Sequence, residues 1–571
     1  MSMYQLVRRC GHPGDEQGFA LITVMLSMLA MMALATAIVA YGIGSQFTSH
    51  HDENWNAALG AAEAGVNDYL HRINSNQNYA TTYGNWPGAV PAQTPDPSNK
   101  AFTQFVNVPG SSTSQYRYWV NSQSNVSSLG KSGFVELTVT GKVGNAARTL
   151  DVRLRVSTYL DFLYYTDLEI SDPQLVGGQP ANCVEPHHAY TQGGVVGYNP
   201  TPSNNGGGCS IITFIGNASR QDTINGPLHT NDLLRVCGSP KFLGKATTSY
   251  PGYTPTATTP VKAGQSLWYG STAAGCTNAP QFPANTDTSN LDYSDPIPPL
   301  PSNAALKTYT GGSTGGCLYT GPTSITFNSD GGWTVSSPTT SSPSPGCPAN
   351  GANDVKPGAA FNGVVYVDTF TPGNPNPCKN KTGNLLGYPK NGDTQTYSCT
   401  AGDVFLSGNL KGQVTVGAAN DITVVGNLLY HDKTPGVMSY QGNDLLGLIA
   451  NRFIAVYHPV NSSGNEVSGS LLNPEIDAAM LSVQHSFYVP QWGSGDPSKT
   501  GTLTVFGAIA QEYRGAVGTF SGASINSGYI KNYNYDNRLK YLEPPYFLNP
   551  TATVFQQSTW SEESPKLTDP R

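Results

Sequence analysis

Three titratable residues surround one glycine turn in the stretch QDTINGPLHTNDLL: Asp222, His229 and Asp232. Glycoside hydrolases use paired acids that face one groove, and polysaccharide lyases need comparable acids and bases. Asp222 and Asp232 flank Gly226, so they could share one surface. His and Asp in Asn-rich turns are, however, more often turn formers. The sequence therefore favours turn residues here, with catalysis as the alternative.

Two further groups contain metal-ligand side chains. His187 and His188, with Glu185 nearby, would point to opposite faces of a strand and are too few for a zinc site by themselves. A second group of acids could hold Ca²⁺, but its spacing does not match an EF-hand loop: Asp161, Asp167, Glu169 and Asp172. We expect solvated strand-face acids there. P-loop and HExxH motifs are absent from the sequence, so we expect no catalytic residue, no metal and no cofactor.

The nine cysteines predict a disulfide framework. None forms a CxxC pair, which makes a zinc ribbon improbable. Cys10 stands in the N-terminal segment, and removal of that segment would leave an even set: Cys183, Cys209, Cys237, Cys276, Cys317, Cys347, Cys378 and Cys399. Four disulfides would suit an oxidising compartment. The pairing does not follow from the sequence, and free buried cysteines are the alternative.

The composition is typical of an exported, strand-rich body. Charged residues make up 12% of the 571 residues, about half of the usual ~25%. Glycine (63), proline (42) and tyrosine (31) are abundant, and 38% of residues are hydrophobic. A packed core is therefore possible, and the length suits two or three domains. The net charge of −7 comes without a basic stripe, so we expect no nucleic-acid partner.

The residues before this body must anchor it. From Phe19 to Gly44 the chain reads FALITVMLSMLAMMALATAIVAYGIG, without a charge. This run exceeds the roughly 20 apolar residues that a membrane-crossing helix needs, and it is too long for the apolar core of a secretory signal. Arg8 and Arg9 precede it and favour a cytoplasmic N-terminus.

The motif Glu16-Gln17-Gly18-Phe19-Ala20-Leu21-Ile22 stands just before and within this run. Here the chain resembles the type IV prepilin class, and in particular its PilX-like N-terminal branch. The resemblance covers about the first 75 residues. It implies that a membrane prepilin peptidase cuts between Gly18 and Phe19. A plain signal anchor that is never processed is the alternative.

One position departs from the class. Most pilins carry Glu as the fifth residue after the cut, where this chain has Thr23. PilX-like members often lack this Glu, so the resemblance implies an accessory protein rather than a major, self-polymerising pilin.

The helix is predicted to continue beyond the membrane. Apolar residues recur at steps of three or four, which is the period of one helix face: Trp55, Leu59, Ala62, Val66, Tyr69 and Ile73. Ala57, Ala61 and Gly65 form a ladder of small residues that would let another helix approach closely. Packing in a filament core and packing against the chain's own first strands are both open interpretations.

Period-two alternation then predicts three half-buried strands, carried by Tyr116-Tyr118-Val120, Val135-Leu137-Val139 and Leu150-Val152-Leu154-Val156. A helix followed by an antiparallel sheet agrees with the general pilin plan that the resemblance implies.

A pattern of apolar, any, Gly, any, apolar recurs in the rest of the chain, centred on Gly226, Gly363, Gly408, Gly426 and Gly507. Glycine suits a bend in which no side chain fits. Repeated strand–bend–strand units favour a β-helix or solenoid, and a β-sandwich is the alternative.

We therefore expect an α+β protein with a long N-terminal transmembrane helix, a small antiparallel β unit and a large, mainly β body. The expected divisions are a leader (1–18), the helix (19–76), the pilin-like unit (79–173), the disulfide-bonded body (182–550) and a C-terminal tail (551–571).

The expected function is that of a minor pilin-like or type IV pilus assembly protein in the bacterial cell membrane. It would be single-pass, with its body outside and its incorporation in a surface pilus left open. Expected partners are the membrane, prepilin peptidase, other pilin-like subunits through the helix, and a carbohydrate or host surface. The alternatives are a membrane-tethered carbohydrate-active enzyme of β-helix type and a pseudopilin.

Overall fold

The computed structural model describes residues 16–75, 79, 103–120, 134–156, 158–178, 191–192, 195–196, 210, 212–216, 222–232, 234–249, 267–269, 280–311, 314–390, 392–521, 524–550 and 555–566. Contacts between residues divide the chain into two units. The small unit takes residues 1–122, 136–153 and 559–571, and the large unit takes residues 123–135 and 154–558.

The long helix α1 spans Glu16–Ser75. The sheet of the small unit is built from β1 (Val106–Asn107), β2 (Ser114–Val120), β3 (Phe134–Val143), β4 (Ala146–Val156) and β31 (Phe555–Glu563). The strands between them in sequence are β5 (Tyr164–Ser171), β6 (Thr191–Gln192), β7 (Val195–Val196), β8 (Phe214–Gly216), β9 (Thr223–Asn225), β10 (Leu228–Thr230), β11 (Leu234–Gly238), β12 (Lys241–Phe242), β13 (Ala246–Thr248), β14 (Leu267–Tyr269), β15 (Asp292–Tyr293), β16 (Cys317–Thr320), β17 (Thr323–Phe327), β18 (Trp333–Ser336), β19 (Val364–Asp368), β20 (Val404–Leu410), β21 (Gln413–Ala418), β22 (Ile422–Tyr430), β23 (Leu445–Ala450), β24 (Ile454–Val456), β25 (Glu475–Ser482), β26 (Phe487–Tyr488), β27 (Thr502–Arg514), β28 (Gly518–Ser521), β29 (Ser524–Gly528) and β30 (Ile530–Tyr535). Short 3₁₀ helices span Tyr159–Asp161, Ala304–Tyr309 and Asn537–Lys540.

The three strands predicted from alternation are present as β2, β3 and β4, with β2 antiparallel to β3. Their predicted apolar residues with described side chains are buried, of which Tyr118, Val139 and Leu150 are examples, but the opposite face is also partly covered, since Thr138 and Thr140 are at most 5% exposed. The expected fold class is confirmed: a long helix, a small antiparallel sheet and a large, mainly β body.

The small sheet is completed by the end of the chain. Residues 551–571 were expected to be a tail, but β31 lies beside β4 as the fifth strand. Arg148 donates to both carboxylate oxygens of Glu562 at 2.6 and 2.5 Å, and Arg117 donates to the Lys566 carbonyl at 2.9 Å. The segment between β4 and β31 is thus an insertion between two neighbouring strands of one sheet.

The large unit is a stack of mostly parallel strands. One continuous row runs β16, β19, β21, β23, β25, β27, β5, β10, β13, β15. From β16 to β13, each strand contributes one residue to a column of side chains that are paired in register. Each member of this column is at most 3% exposed: Cys317, Val365, Val416, Leu448, Met480, Ile509, Tyr164, Leu228 and Ala246. Burial of one such column in every strand is what stabilises a stack of this kind.

The glycines of the recurring pattern lie where the chain turns from one row of strands into another. Gly507 stands in β27 where its partners change from β30 to β5, and a Cβ there would lie 1.9 Å from the Ala478 carbonyl oxygen. Gly408 in β20 has φ +106, and its Cβ would lie 2.1 Å from the Phe327 carbonyl oxygen. Side chains are excluded at both corners, because the neighbouring backbone occupies their place.

The strands are not stacked in sequence order. The chain joins the row at β5, moves to β10, β13 and β15, and then returns to the other end of the row at β16. The connecting segment 294–316 makes this return: Ile297 accepts from Tyr165 in β5, whereas Asn303 bonds to Ala418 and Ile449 at the ends of β21 and β23. Strand β5 therefore belongs to the large sheet, although it was expected within the pilin-like unit 79–173.

Candidate functional site

The first half of α1 is apolar and uncovered. Its large side chains from Leu21 to Ile43 are 50–82% exposed. The helix contains an 18-residue window with a mean hydropathy of 2.3, so it is long and apolar enough to cross a membrane. In water this exposed surface would be strongly unfavourable.

The predicted processing residues lie at the start of this helix. Gly18 and Phe19 fall in its first residues. Thr23, which replaces the usual Glu, donates its hydroxyl to the Ala20 carbonyl at 2.9 Å. Such a bond within the helix satisfies a hydroxyl in apolar surroundings.

The second half of α1 packs on the small sheet. Of the predicted stripe, Ala62, Val66, Tyr69 and Ile73 are at most 3% exposed, whereas Trp55 is 37% exposed and Leu59 is half-buried. The partners of the buried residues include residues of β2, in which Tyr116, Tyr118 and Val120 are at most 5% exposed.

The small-residue ladder lies at this same contact. Ala61 is 3% exposed, and a Cβ on Gly65 would lie 2.7 Å from side-chain atoms of both Tyr116 and Val139. Gly141 of β3 faces the helix, with its Cβ position 2.1 Å from the Ala58 carbonyl oxygen. Gly65 therefore packs against the chain's own strands, whereas Ala57 is only half-buried.

Buried tyrosines pack the C-terminal end of α1 against the small sheet. The Tyr69 and Tyr118 rings meet edge to face with centroids 5.3 Å apart, and the hydroxyls of Tyr79 and Tyr118 lie 2.7 Å apart. Burial raises the pKa of Tyr79 to about 12. These phenols stay neutral at physiological pH and act as packing groups.

The four acids considered for Ca²⁺ do not form a cluster, and three of them are not solvated. Asp167, Glu169 and Asp172 are at most 5% exposed. Each has its own partner: Asn231 donates to Asp167 at 2.7 Å, Arg514 to Glu169 at 2.9 Å, and His485 lies 3.0 Å from Asp172. Asp161 pairs with Arg155 at 2.8 Å. The expected solvated strand face was wrong because β5 lies inside the stack.

The three residues considered for catalysis are also buried and occupied. Lys531 donates to Asp222 at 3.0 Å, and Asp232 accepts the backbone N–H of Glu169 at 3.0 Å. The His229 ring nitrogens lie 2.8 Å from the Thr247 hydroxyl and 3.0 Å from the Asn231 amide oxygen. Burial lowers the pKa of His229 to about 4. All three side chains are at most 2% exposed, so they do not line an open groove.

Sequence reasoning missed several interacting carboxylates, among them Asp403 and Asp421. Burial, followed by the Asp421 charge, raises the pKa of Asp403 to about 7. The carboxylate of Asp403 accepts a hydrogen bond from the backbone N–H of Asp421, and the carboxylate of Asp421 accepts one from the backbone N–H of Phe453. Both bonds lie at turns that precede strands of the stack. The spacing of 18 residues between the two acids carried no motif, because only the parallel pairing of β20 with β22 brings them together.

Two disulfides of the large unit join cysteines that both lie in the described part of the chain. Cys317 pairs with Cys347, and Cys378 pairs with Cys399. Cys237 is also disulfide-bonded. The other predicted cysteines, Cys183, Cys209 and Cys276, lie outside the described residues. So do Glu185, His187 and His188, and the described part of the chain has no group of three His, Cys, Asp or Glu side chains suited to a metal ion.

The comparisons with known proteins assign no family. No family model matches the chain, and no curated protein matches it. Among solved structures, the chain is similar to the competence-associated pilin ComZ from Thermus thermophilus, at 16% identity over 89% of this chain and 97% of that one, with a TM-score of 0.25. A likeness of this size carries no argument about the fold or function of the chain.

Proposed function

We propose that the chain is a minor pilin-like, type IV pilus assembly protein of the PilX-like branch. Its helix α1 crosses the bacterial cell membrane once, and the body that follows the membrane-crossing part is extracytoplasmic. Prepilin peptidase cuts between Gly18 and Phe19, and the protein serves filament assembly or adhesion to a carbohydrate or host surface. Other pilin-like subunits are its partners through α1.

One observation carries this proposal. The first half of one continuous helix is apolar and exposed. In its second half, residues three or four positions apart are buried. The membrane accounts for the first half, because about 20 apolar residues match the hydrocarbon thickness. The small sheet accounts for the second half. A helix shared in this way between a bilayer and a sheet agrees with the pilin plan.

We also infer that the large unit is a β-helix. The parallel register from β16 to β15 and the glycine corners support this inference. The disulfides support an oxidising, extracytoplasmic location.

A carbohydrate-active enzyme of β-helix type is the alternative function. It would need close carboxylates facing a groove. The buried positions of Asp222 and Asp232 and the turn-stabilising bonds of Asp403 and Asp421 weigh against it.

Intact-mass measurement of the membrane-extracted protein tests the proposal. We expect a mature chain that begins at Phe19 in cells that make pili. Gly18→Glu should abolish cleavage, and Gly14→Ala, in the same leader but away from the cut, should leave it unchanged. A full-length leader on the wild-type protein in such cells, or recovery of the protein in the soluble fraction, would contradict the proposal.

A further inference from the structure

The outer face of the small sheet contains a polar cavity. The cavity has a volume of about 380 Å³, within the range of roughly 300–1,000 Å³ of small-molecule sites. Strands β2, β3, β4 and β31 all contribute to its lining, together with Lys566, which follows β31. The cavity therefore exists only in a sheet that β31 has completed.

An aromatic ring and two rows of polar side chains line this cavity. Trp119 stands opposite Thr138 in the β2–β3 register, and the Thr138 hydroxyl donates to Asp151 of β4 at 2.6 Å. The next row pairs Arg153 with Glu136 at 3.1 Å. These rows place a half-buried indole beside hydrogen-bonding groups held in fixed positions.

The remaining wall comes from the C-terminal strand. Alternate residues of β31 face the cavity: Thr559, Ser561 and Glu563. Lys566 lies 2.6 Å from Glu563 and 3.6 Å from Asp151. The wall thus adds two hydroxyls and a further bonded pair of charges.

The lining excludes several classes of ligand. An apolar ligand would desolvate five charged side chains and offer them no hydrogen bond in exchange for water. A strongly anionic ligand would meet three carboxylates, while both cations are already bonded to carboxylates. Metal binding is disfavoured, because the described residues include no group of three ligands suited to an ion. A neutral ligand with many hydroxyls and one flat apolar face matches the indole and the surrounding hydrogen-bonding groups.

We propose that this cavity binds a neutral saccharide, with one sugar ring stacked on Trp119 and its hydroxyls bonded to Asp151, Arg153 and the hydroxyls of β31. An aromatic ring accepts the C–H face of a pyranose because it is flat, rigid and apolar. Charged planar groups form the stronger hydrogen bonds to its hydroxyls. The inference names a ligand class for the adhesive part of the proposed function and rests on that function only for its biological setting.

The test uses the full chain in detergent and three separate probes: maltotriose, cellotriose and the trimer of N-acetylglucosamine. We expect saturation-transfer NMR to show binding of at least one trisaccharide. Trp119→Ala and Asp151→Asn should each weaken that binding about tenfold or more, equivalent to about 1.4 kcal/mol. Trp119→Phe, which keeps an aromatic face, should retain most of the affinity and shows that the sheet still folds.

The matched control is Trp560→Ala. Trp560 is 52% exposed and alternates with the cavity-lining residues of β31, so its loss should leave binding unchanged. The proposal is overturned if none of the three trisaccharides binds, or if Trp119→Ala binds as well as the wild type. Binding of trilysine in place of the saccharides would also overturn it, in favour of a cationic peptide. Because these readouts do not involve the leader, they fail independently of the membrane proposal.

Discussion

Several buried charged residues of the large unit bond to oppositely charged partners, mostly as pairs and, at Lys433 with Glu475 and Asp477, as a group of three. Arg514 bonds to Glu169 and lies over the Phe214 ring at 3.5 Å, and Lys531 bonds to Asp222. A buried charge without a partner is costly, so each cation here compensates an acid of a neighbouring strand. The acids that attracted attention in the sequence are therefore structural.

His229 makes a residue-scale prediction about pH. Its folded pKa of about 4 lies below the usual value near 6.5, so between these two values the unfolded chain binds a proton that the folded chain does not. Stability contributed by neutral His229 is complete above pH 6.5 and is lost as the pH falls towards 4. Lowering the pH from 7 to 5 should remove about 2 kcal/mol, at about 1.4 kcal/mol per pKa unit.

The measurement is the apparent Tm of wild type and His229→Gln at pH 5 and 7. We expect a smaller loss of Tm on acidification in the variant. Asp403, whose raised pKa acts in the opposite direction, is present in both proteins and cancels in the difference. Equal pH dependence of the two proteins would show that His229 does not titrate as described.

At the scale of elements, two features couple parts that are distant in sequence. Gly141 lets β3 touch the helix backbone, and Asn303 ties the connecting segment to the ends of two stacked strands. Both positions are buried. The contact at Gly141 leaves no room for a larger side chain, and the contact at Asn303 requires a side chain that forms hydrogen bonds.

Gly141→Ala should detach α1 from the small sheet. The added Cβ would lie 2.1 Å from the Ala58 carbonyl oxygen and 2.3 Å from the Ala62 nitrogen, and such overpacking costs about 1–3 kcal/mol or more. The readout is faster amide hydrogen exchange over residues 58–73.

Gly60→Ala is the matched control for Gly141→Ala. Nothing lies within 4 Å of a Cβ at Gly60, so alanine should slow exchange through its higher helix propensity, worth about 1 kcal/mol. Exchange that is unchanged by Gly141→Ala would contradict the described contact.

Asn303→Ala should loosen the connecting segment. The Asn303 amide donates to the Ala418 and Ile449 carbonyls at 2.7 and 2.9 Å, and its oxygen accepts from Tyr366 at 3.2 Å. Loss of these bonds leaves buried groups unsatisfied, at about 1–3 kcal/mol. We expect a lower denaturation midpoint. Thr308→Ala, which removes only an exposed bond to Ala305, should change it little.

At the scale of the whole molecule, the large unit is an insertion between β4 and β31. The small sheet is therefore complete only when the last strand has joined the first ones, across the 414 residues from Arg148 to Glu562. Closing so long a loop adds only a modest entropic cost once the inserted unit has folded, because that cost grows slowly with length.

Deletion of residues 555–571 should destabilise the small unit selectively. Strand β4 would become an edge strand and Arg148 would lose Glu562, so amide exchange in β4 should rise about tenfold or more, or about 1.4 kcal/mol. Exchange in the row from β19 to β25 should stay slow. Truncation after Lys566 retains the described contacts and serves as the control; equal exchange in the two proteins would contradict the assigned role of β31.

Much of the fold could be predicted because its signals are local. The uncharged run after Phe19 predicts the helix, period-two alternation predicts β2 to β4, and Gly408 and Gly507 predict bends. Each follows from side chains within a few residues of one another, where helical or strand geometry decides which of them share a face.

Other features depend on partners far apart in sequence. The burial of Asp167 and Glu169, the Asp403–Asp421 pair, and the cavity between Trp119 and β31 all require strands that pair across long separations. The sequence alone determined an apolar helix with a periodic second half, three alternating strands and glycine bends. Only the tertiary structure decided that the chain enters the row of stacked strands at β5, in the middle of that row, and that β31 completes the small sheet. The physical reason is that strand register is set by the packing of whole columns of side chains rather than by any one segment.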